Sequence, residues 1–423
     1  MNKAEATGSC PQCGAPVELD IGDPLLSCGF CRTKLYMVPP GGIFSYFLSP
    51  ATEPRTEQEV CFLPYWRFRG FKFRVHEHKP TDCSLVDTTI PAAKMFSGLP
   101  LLGMAPQLGA VRLNPERPPG LSLLNNPSRA LKRADAMIER LLRDKPVLEG
   151  IMGENSSLIL APFEFRRGQG NRTFLKPLWG PKGTIPLGQE QEEAIEQFME
   201  PAGGKEKIRF LPLICPECGA DLPAFPRAKA LLCRVCGRIW GLGSSRLFPK
   251  RFSMADGPVD HDMIFLPFWH FNLEIEGLGI DSRYSLFRQL FPYRDAPESW
   301  KTEPVGVVIP AFKINPRLFF RLSTRMSSTR TEFPRGAPET SQEVPKLHMV
   351  NFTLEEAAKS IRIVLLDIFK NRKKIRDQLL KSPVRVKGSQ LVLLPFRKGI
   401  REYVAVHSGQ AVPIAAIELG TRL

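Results

Sequence analysis

Apolar and polar positions alternate with a period of two in two well-separated stretches. Phe71, Phe73 and Val75 alternate with Lys72, Arg74 and His76, and Phe271, Leu273 and Ile275 alternate with Asn272, Glu274 and Glu276. Successive side chains of a strand point to opposite faces, so each stretch predicts a half-buried β-strand. A helix candidate follows in each half, Ser128–Asp144 and Thr353–Arg372. The second opens Thr-Leu-Glu-Glu, a capping-box pattern, and carries Ile361, Val364, Leu365 and Ile368 as an apolar stripe. The expected fold class is α+β, with a mainly antiparallel sheet and a packed helix, present twice.

The two stretches belong to a longer ordered match. Leu63-Pro64-Tyr65-Trp66-Arg67-Phe68 recurs as Leu266-Pro267-Phe268-Trp269-His270-Phe271, 203 positions on. Asn114-Pro115 recurs as Asn315-Pro316, and Ser157–Phe163 is mirrored by Gln390–Phe396 at an offset of 233. An insertion at Ser323–Pro345, rich in Ser and Thr and expected to be a flexible loop, accounts for the growing offset. Repeats of this length are domain-sized, so two homologous halves are expected. The predicted boundaries are 8–40 and 41–187 for the first half, 188–207 as linker, and 208–242 and 243–423 for the second.

Each half opens on the same chemistry. Cys10, Cys13, Cys28 and Cys31 match Cys215, Cys218, Cys233 and Cys236 at an offset of 205, with 14 residues between the inner cysteines in both. A Cys-x-x-Cys turn aims two thiolates at one ion, and the spacer is long enough for a hairpin that brings up the second turn. Four thiolates close a tetrahedral shell and leave no position for water, which makes each site structural. Gly14, Gly219 and Gly237 follow a pair directly, where a tight turn wants a positive φ. The expected ions are two structural zincs. Iron in a four-thiolate centre, a redox dithiol and a ribbon without metal are the alternatives. The Cys-Pro-x-Cys-Gly turns resemble those of the zinc-ribbon superfamily over about 30 residues of each half, and ribbon plus Leu-Pro-aromatic-Trp strand is loosely similar to uncharacterised bacterial zinc-ribbon proteins. That superfamily spans transcription factors, ribosomal proteins, primases and inert inserts, so the resemblance implies a ribbon and no particular activity.

Composition narrows the class. The chain has 423 residues, 43% hydrophobic, with 40 prolines, a usage that favours short elements joined by rigid turns. No run of 18 apolar residues occurs, and Met1–Ser9 has no apolar core of a secretory signal. Eight of the ten cysteines fall in Cys-x-x-Cys pairs, which in a reducing compartment reads as metal binding, so a cytoplasmic location is expected. The net charge of +15 is uneven: residues 1–207 hold a net +2 and residues 208–423 a net +13.

An electrostatic partner therefore belongs to the second half. The densest basic stretch, Lys370, Arg372, Lys373, Lys374, Arg376, Lys381, Arg385 and Lys387, holds one acid, Asp377. It is expected at the end of the helix and in the loop after it, where cations complement the helix dipole. It suits the phosphates of nucleic acid or, as a lesser reading, an acidic lipid surface; the plain reading is a solvated helix end. A second basic run, Lys313–Arg335, adds Arg317, Arg321, Arg325 and Arg330. The aromatic strand Tyr65–Arg69 could stack bases, but its counterpart carries Glu274 and Glu276, so core packing is the expectation for the aromatics and mutual pairing of the two charged faces a hypothesis. Cys61 and Cys83 are read as unremarkable thiols, and His76-Glu77-His78 as a surface cluster. No phosphate-binding glycine loop, nucleophile elbow or metalloprotease helix motif is present, and no catalytic residue is assigned. The functional expectation is a zinc-binding scaffold or binding module, with nucleic acid as the sharpest partner and a purely protein partner as the alternative.

Overall fold

The computed structural model describes residues 7–18, 24–53, 60–76, 82–103 apart from 97, 111–116, 118, 124, 146–167, 173–179, 183–199, 207–255 apart from 224 and 226, 261–328 and 346–420. The helix candidate Ser128–Asp144, together with Glu77, His78 and residues 329–345, lies outside them. Two compact units emerge. Unit 1 comprises Met1–Gly70, Val86–Lys145 and Glu154–Pro212; unit 2 comprises Phe71–Leu85, Pro146–Gly153 and Leu213–Leu423.

The chain runs through β1 (Thr7–Ser9), β2 (Pro16–Glu18), β3 (Leu25–Ser27), β4 (Lys34–Val38), β5 (Ser45–Leu48), β6 (Val60–Val75), β7 (Asp82–Pro91), β8 (Val111–Leu113), β9 (Leu148–Arg167), β10 (Thr173–Pro177) and β11 (Ile185–Pro186). Helix α1 (Gln189–Met199) and strand β12 (Arg209–Pro212) follow. Then come β13 (Ala230–Leu232), β14 (Ile239–Leu242), β15 (Leu247–Lys250), β16 (Phe252–Met254) and β17 (Met263–Ile275). Helix α2 (Arg283–Leu290), strand β18 (Val305–Pro310), helices α3 (Pro316–Ser328), α4 (Leu354–Ile368) and α5 (Lys373–Lys381), strands β19 (Val384–Lys398), β20 (Glu402–Ala405) and β21 (Ala411–Pro413), and helix α6 (Ile414–Gly420) complete it.

The sheets are mostly antiparallel, as the alternation predicts. In unit 2 the order is β18-β17-β19-β20-β21, with β16 joined to β19 in parallel at Phe252–Met254 against Leu391–Leu393. The strand that opens with the other Leu-Pro-aromatic segment, β6, pairs with β7 and β9. Strand β9 also takes β10 antiparallel and β5 in parallel, Ser45–Phe47 against Leu158–Leu160. A proline cannot donate to a ladder, yet its carbonyl still accepts. Pro64 accepts from the Ala92 amide and Pro267 from the Ala311 amide, both at 2.9 Å; Pro162 accepts from Leu178 at 3.1 Å and Pro395 from Val406 at 3.0 Å.

The predicted elements hold where the pattern is strong. Helix α4 begins at Thr353 with the full capping box: the Thr353 hydroxyl accepts from the Glu356 amide at 3.2 Å, and the Glu356 carboxylate accepts from the Thr353 amide at 2.8 Å. Ile361, Val364, Leu365 and Ile368 are all buried. Phe271, Leu273 and Ile275 face the core of unit 2 with Phe268, Phe312 and Phe396. The alternation on β6 is less clean. Lys72 is as buried as its apolar neighbours because its ammonium meets the Glu149 carboxylate at 3.2 Å, a pairing with a residue 77 positions away.

Three boundaries differ from the sequence expectation. The segment 188–207 is not all linker. Ala194, Ile195 and Phe198 of α1 enter the core of unit 1, and Phe198 meets Phe96 edge to face at 5.8 Å. Arg209–Pro212 adds a strand to the first ribbon, pairing antiparallel with Leu35–Val38, and so does not belong to the second. Ser323–Ser328 are the last two turns of α3, with Ser323 and Met326 buried, so the expected flexible loop cannot begin at Ser323.

Candidate metal centres

Each four-cysteine set is built from two turns that share one hydrogen-bond pattern. The Cys10 amide donates to the Ala15 carbonyl at 2.8 Å and the Gly14 amide returns to the Cys10 carbonyl at 2.8 Å. The turn at Cys28 repeats this with Thr33 and Arg32, that at Cys215 with Ala220 and Gly219, and that at Cys233 with Arg238 and Gly237, all between 2.8 and 3.0 Å. The returning residue has a positive φ in each case: 75° at Gly14, 61° at Arg32, 74° at Gly219 and 71° at Gly237. Glycine adopts that conformation without a Cβ penalty, and Arg32 is the one exception among the four.

These turns aim all four thiols at a common point. The Sγ atoms of Cys10 and Cys31 are 3.7 Å apart, as are those of Cys13 and Cys28; Cys215 and Cys236 are 3.6 Å apart, and Cys218 and Cys233 3.5 Å. Within each set all four sulfurs lie within 4.8 Å of one another. A tetrahedron with metal–sulfur bonds of about 2.3 Å has edges of about 3.8 Å, so both sets have the size and shape of a four-thiolate shell. A disulfide would need a sulfur–sulfur separation of about 2.0 Å, far below these distances.

The surroundings pull the thiols both ways, lowering Cys28, Cys31 and Cys215 and raising Cys13, Cys218 and Cys236. Hydrogen bonds with the Thr33 side chain and backbone draw the Cys31 thiol down to about 6. Burial pushes Cys215 upward, but the backbone amides of Cys218 and Glu217 outweigh it and leave the group at about 7. The thiolate is the form that ligates metal. Cys61 is pushed up to about 12 by burial, and Cys83 up to about 11 by burial and then by the Asp82 charge. Neither has the lowered value of a reactive thiol, in keeping with the plain reading of both.

The basic stretch is rearranged. Helix α4 stops at Ile368, where Phe369 turns into the core, and a new helix starts at Lys373. Lys373 and Lys374 therefore stand at the positive end of the α5 dipole, which they oppose rather than complement. Arg385 and Lys387 are on β19, not in a loop. Lys387 pairs with Glu274 at 2.9 Å, and Arg385 reaches Glu274 at 3.6 Å and also pairs with Glu276. Lys370 sits 3.8 Å from Asp367, and the Arg376 guanidinium donates to the His76 carbonyl. Arg372, Lys373, Lys374 and Lys381 remain exposed, with no acidic partner among the described residues.

The pairing of the acidic and basic strand faces with each other is not what occurs. Arg67 and Arg69 meet Asp87 at 3.3 and 3.2 Å, and Arg74 meets Asp82 and Glu149 at 3.3 and 3.5 Å. Both faces find counter-ions on adjacent strands, the shortest reach for side chains standing on one sheet face. Phe320, Thr324, Leu366 and Asp367 carried no motif, yet they line a cavity with Arg317, Arg321, Arg325, Lys370 and Arg376. The signal available in sequence was the spacing 317, 320, 321, 324 and 325, one face of a helix.

Among the described residues no helix is long and apolar enough to cross a membrane. No protein-family model matches the chain, and neither does any curated protein or solved structure.

Proposed function

We propose that the protein is a zinc-binding module made of two duplicated halves, in which two structural zinc ions clip the ribbons and the exposed cations along α5 bind the phosphate backbone of nucleic acid. The matched four-thiol shells are the observation that carries the zinc assignment. Zinc suits four cysteines closed to water, and such a site contributes folding energy rather than chemistry. The duplication rests on two ribbons of one spacing and on the repeated proline-carbonyl hydrogen bonds of the two Leu-Pro strands and their neighbours.

The nucleic-acid reading rests on Arg372, Lys373, Lys374 and Lys381. Cations at a helix N-terminus cost about 0.3–1 kcal/mol each, and a phosphate placed there reverses the sign. The test is fluorescence anisotropy of labelled single-stranded DNA, duplex DNA and RNA with the zinc-loaded protein, over a salt series, beside the variant K373E/K374E/K381E. Four phosphate contacts predict a loss of about a hundredfold in affinity between roughly 50 and 200 mM salt. The variant should lose binding and still fold, because the acids at 373 and 374 suit the dipole of the first turn and offset the one at 381 in the last. Absence of binding at low salt would sink the reading, and vesicles of acidic phospholipid separate it from lipid association.

One observation favours a protein partner instead. Phe30 and Val235 occupy the same position in the second turn of their ribbons, and they are 71% and 69% exposed. Capture of a partner that is lost in F30A/V235A, with no salt-sensitive nucleic-acid binding, would support that alternative.

A further inference from the structure

A cavity of about 430 Å³ opens within unit 2 between α3, the end of α4 and α5. Among the described residues its wall holds five cations, Arg317, Arg321, Arg325, Lys370 and Arg376, against one carboxylate, Asp367. Its apolar part is Phe320 and Leu366. The volume falls in the range of small-molecule clefts.

The cations are placed in a way the described residues do not balance. Arg317, Arg321 and Arg325 succeed one another at i, i+4 and i+8, and like charges at that spacing destabilise a helix by a few tenths of a kcal/mol per pair, about 0.2–0.5. Helix α3 has no acid in its first turn, so Arg317 also opposes the dipole. The Asp367 carboxylate is already engaged: it accepts from the Thr324 hydroxyl at 3.1 Å and lies 3.8 Å from Lys370. Arg321 is held by donation to the Ala411 carbonyl at 3.2 Å, and Arg376 by the His76 carbonyl. Arg317 and Arg325 are exposed and have no acidic partner among the described residues. Two anchored guanidinium groups, two open ones and an ammonium thus surround a space floored by an aromatic ring. Phe320 is itself fixed, meeting Phe73 edge to face at 5.0 Å.

We infer that this cavity binds a phosphate monoester carrying an apolar or aromatic group, with the phosphate on the arginines and the apolar part on Phe320 and Leu366. Guanidinium forks match phosphate oxygens in bidentate geometry, which a carboxylate partner inside the chain would pre-empt and which none of the described acids does for Arg317 or Arg325. The site is separate from the exposed lysines at the start of α5 and stands whether or not those bind nucleic acid.

The test is calorimetric titration of the zinc-loaded full chain with phenyl phosphate, inorganic phosphate and benzyl alcohol. Phenyl phosphate should bind once per chain. Inorganic phosphate, lacking the ring, should bind at least about tenfold more weakly, and benzyl alcohol should not bind. In R317A/R325A the affinity for phenyl phosphate should fall about a hundredfold, with the melting temperature unchanged or raised because two repulsions are gone. K373E/K374E/K381E should bind phenyl phosphate as the parent does; loss there would move the anion to the α5 surface and overturn the cavity assignment. No heat with phenyl phosphate, or equal affinity in R317A/R325A, overturns it as well. Vesicles containing phosphatidic acid present the same monoester on a bilayer. Competition with phenyl phosphate identifies a lipid source, and intact phenyl phosphate binding without competition identifies a soluble one; either outcome supports the site.

Discussion

The two ribbons share every covalent feature of a four-thiol site and differ in what surrounds them. Cys10 and Cys28 of the first lie in a small apolar cluster with Val17, Leu35, Met37, Leu113 and Phe210. In the second, Ala230, Leu232 and Ile239 join the large core that also contains Phe268, Phe312 and Phe396. The same difference marks the sheets. Strand β6 is basic and meets acids on its neighbours, whereas β17 ends acidic and meets Arg385 and Lys387 on β19. Cross-strand pairing needs opposite charges at facing positions but is indifferent to which strand carries which sign. The two Leu-Pro-aromatic strands thus carry opposite charge, so a charged residue on one is no guide to the role of the residue at the matching position of the other.

The largest effect should come from the metal sites. Chelation, or Cys233→Ser, should lower the melting temperature of unit 2 as a whole, since structural zinc contributes on the order of 10 kcal/mol. Cys28→Ser should open the first ribbon and its small cluster while leaving hydrogen-exchange protection in unit 2. Metal analysis should give two zincs per chain for the parent and one for each variant. Equal global loss in both variants would break the comparison.

The second contrast is Glu164, fully buried in unit 1, which accepts two bonds from Arg166 at 2.9 Å and faces Lys176 at 3.6 Å. Its counterpart at the offset of 233 is the exposed Arg397. Glu164→Ala should cost about 1–3 kcal/mol, since the Arg166 and Lys176 it leaves are 28% and 34% exposed and regain part of their hydration, and Arg397→Ala under about 0.5 kcal/mol. Chemical denaturation measures both.

Acid should separate the units next. All six histidines lie in unit 2. Burial holds His270 and His348 down to about 4. The unfolded chain binds protons near the ordinary 6.5 while the folded chain does not, so this stability is complete above about pH 6.5 and drains as pH falls towards 4. The loss should be on the order of 2 kcal/mol per histidine, discounted for partial solvation. H270Q/H348Q should flatten the pH dependence of unfolding between 6.5 and 4; an unchanged slope would assign the acid sensitivity elsewhere.

The smallest effect is expected at Arg32, where the other three turns have glycine. Arg32→Gly should stabilise the first ribbon by about 1 kcal/mol, because a side chain is strained at a φ of 61°. A slower rate of zinc loss to a chelator is the readout, and Gly237→Arg should do the reverse in the second ribbon.

Local and periodic features were legible in the chain. The convergence of the eight paired cysteines, the capping box at Thr353, the stripe of α4 and the strand at Phe271 follow from spacing alone, since each is set by residues within one turn, one hairpin or one face. Other features depend on residues far apart in sequence. Lys72 is buried because Glu149 reaches it, and Arg385 and Lys387 leave the basic patch because β19 runs beside β17. The end of α4 at Ile368 follows from Phe369 entering the core, and this is what placed Lys373 and Lys374 at a helix start. The arginines of α3 were visible as a basic run, but not their convergence with Lys370 and Arg376, because that needs α3, α4 and α5 packed together. The sequence by itself determined which thiols are spaced to converge and which faces are apolar, because those depend on chemistry a few residues wide. Only the tertiary structure decided which charges are spent on neighbours and which stay available, because a charge is neutralised by whatever the fold brings within about 4 Å.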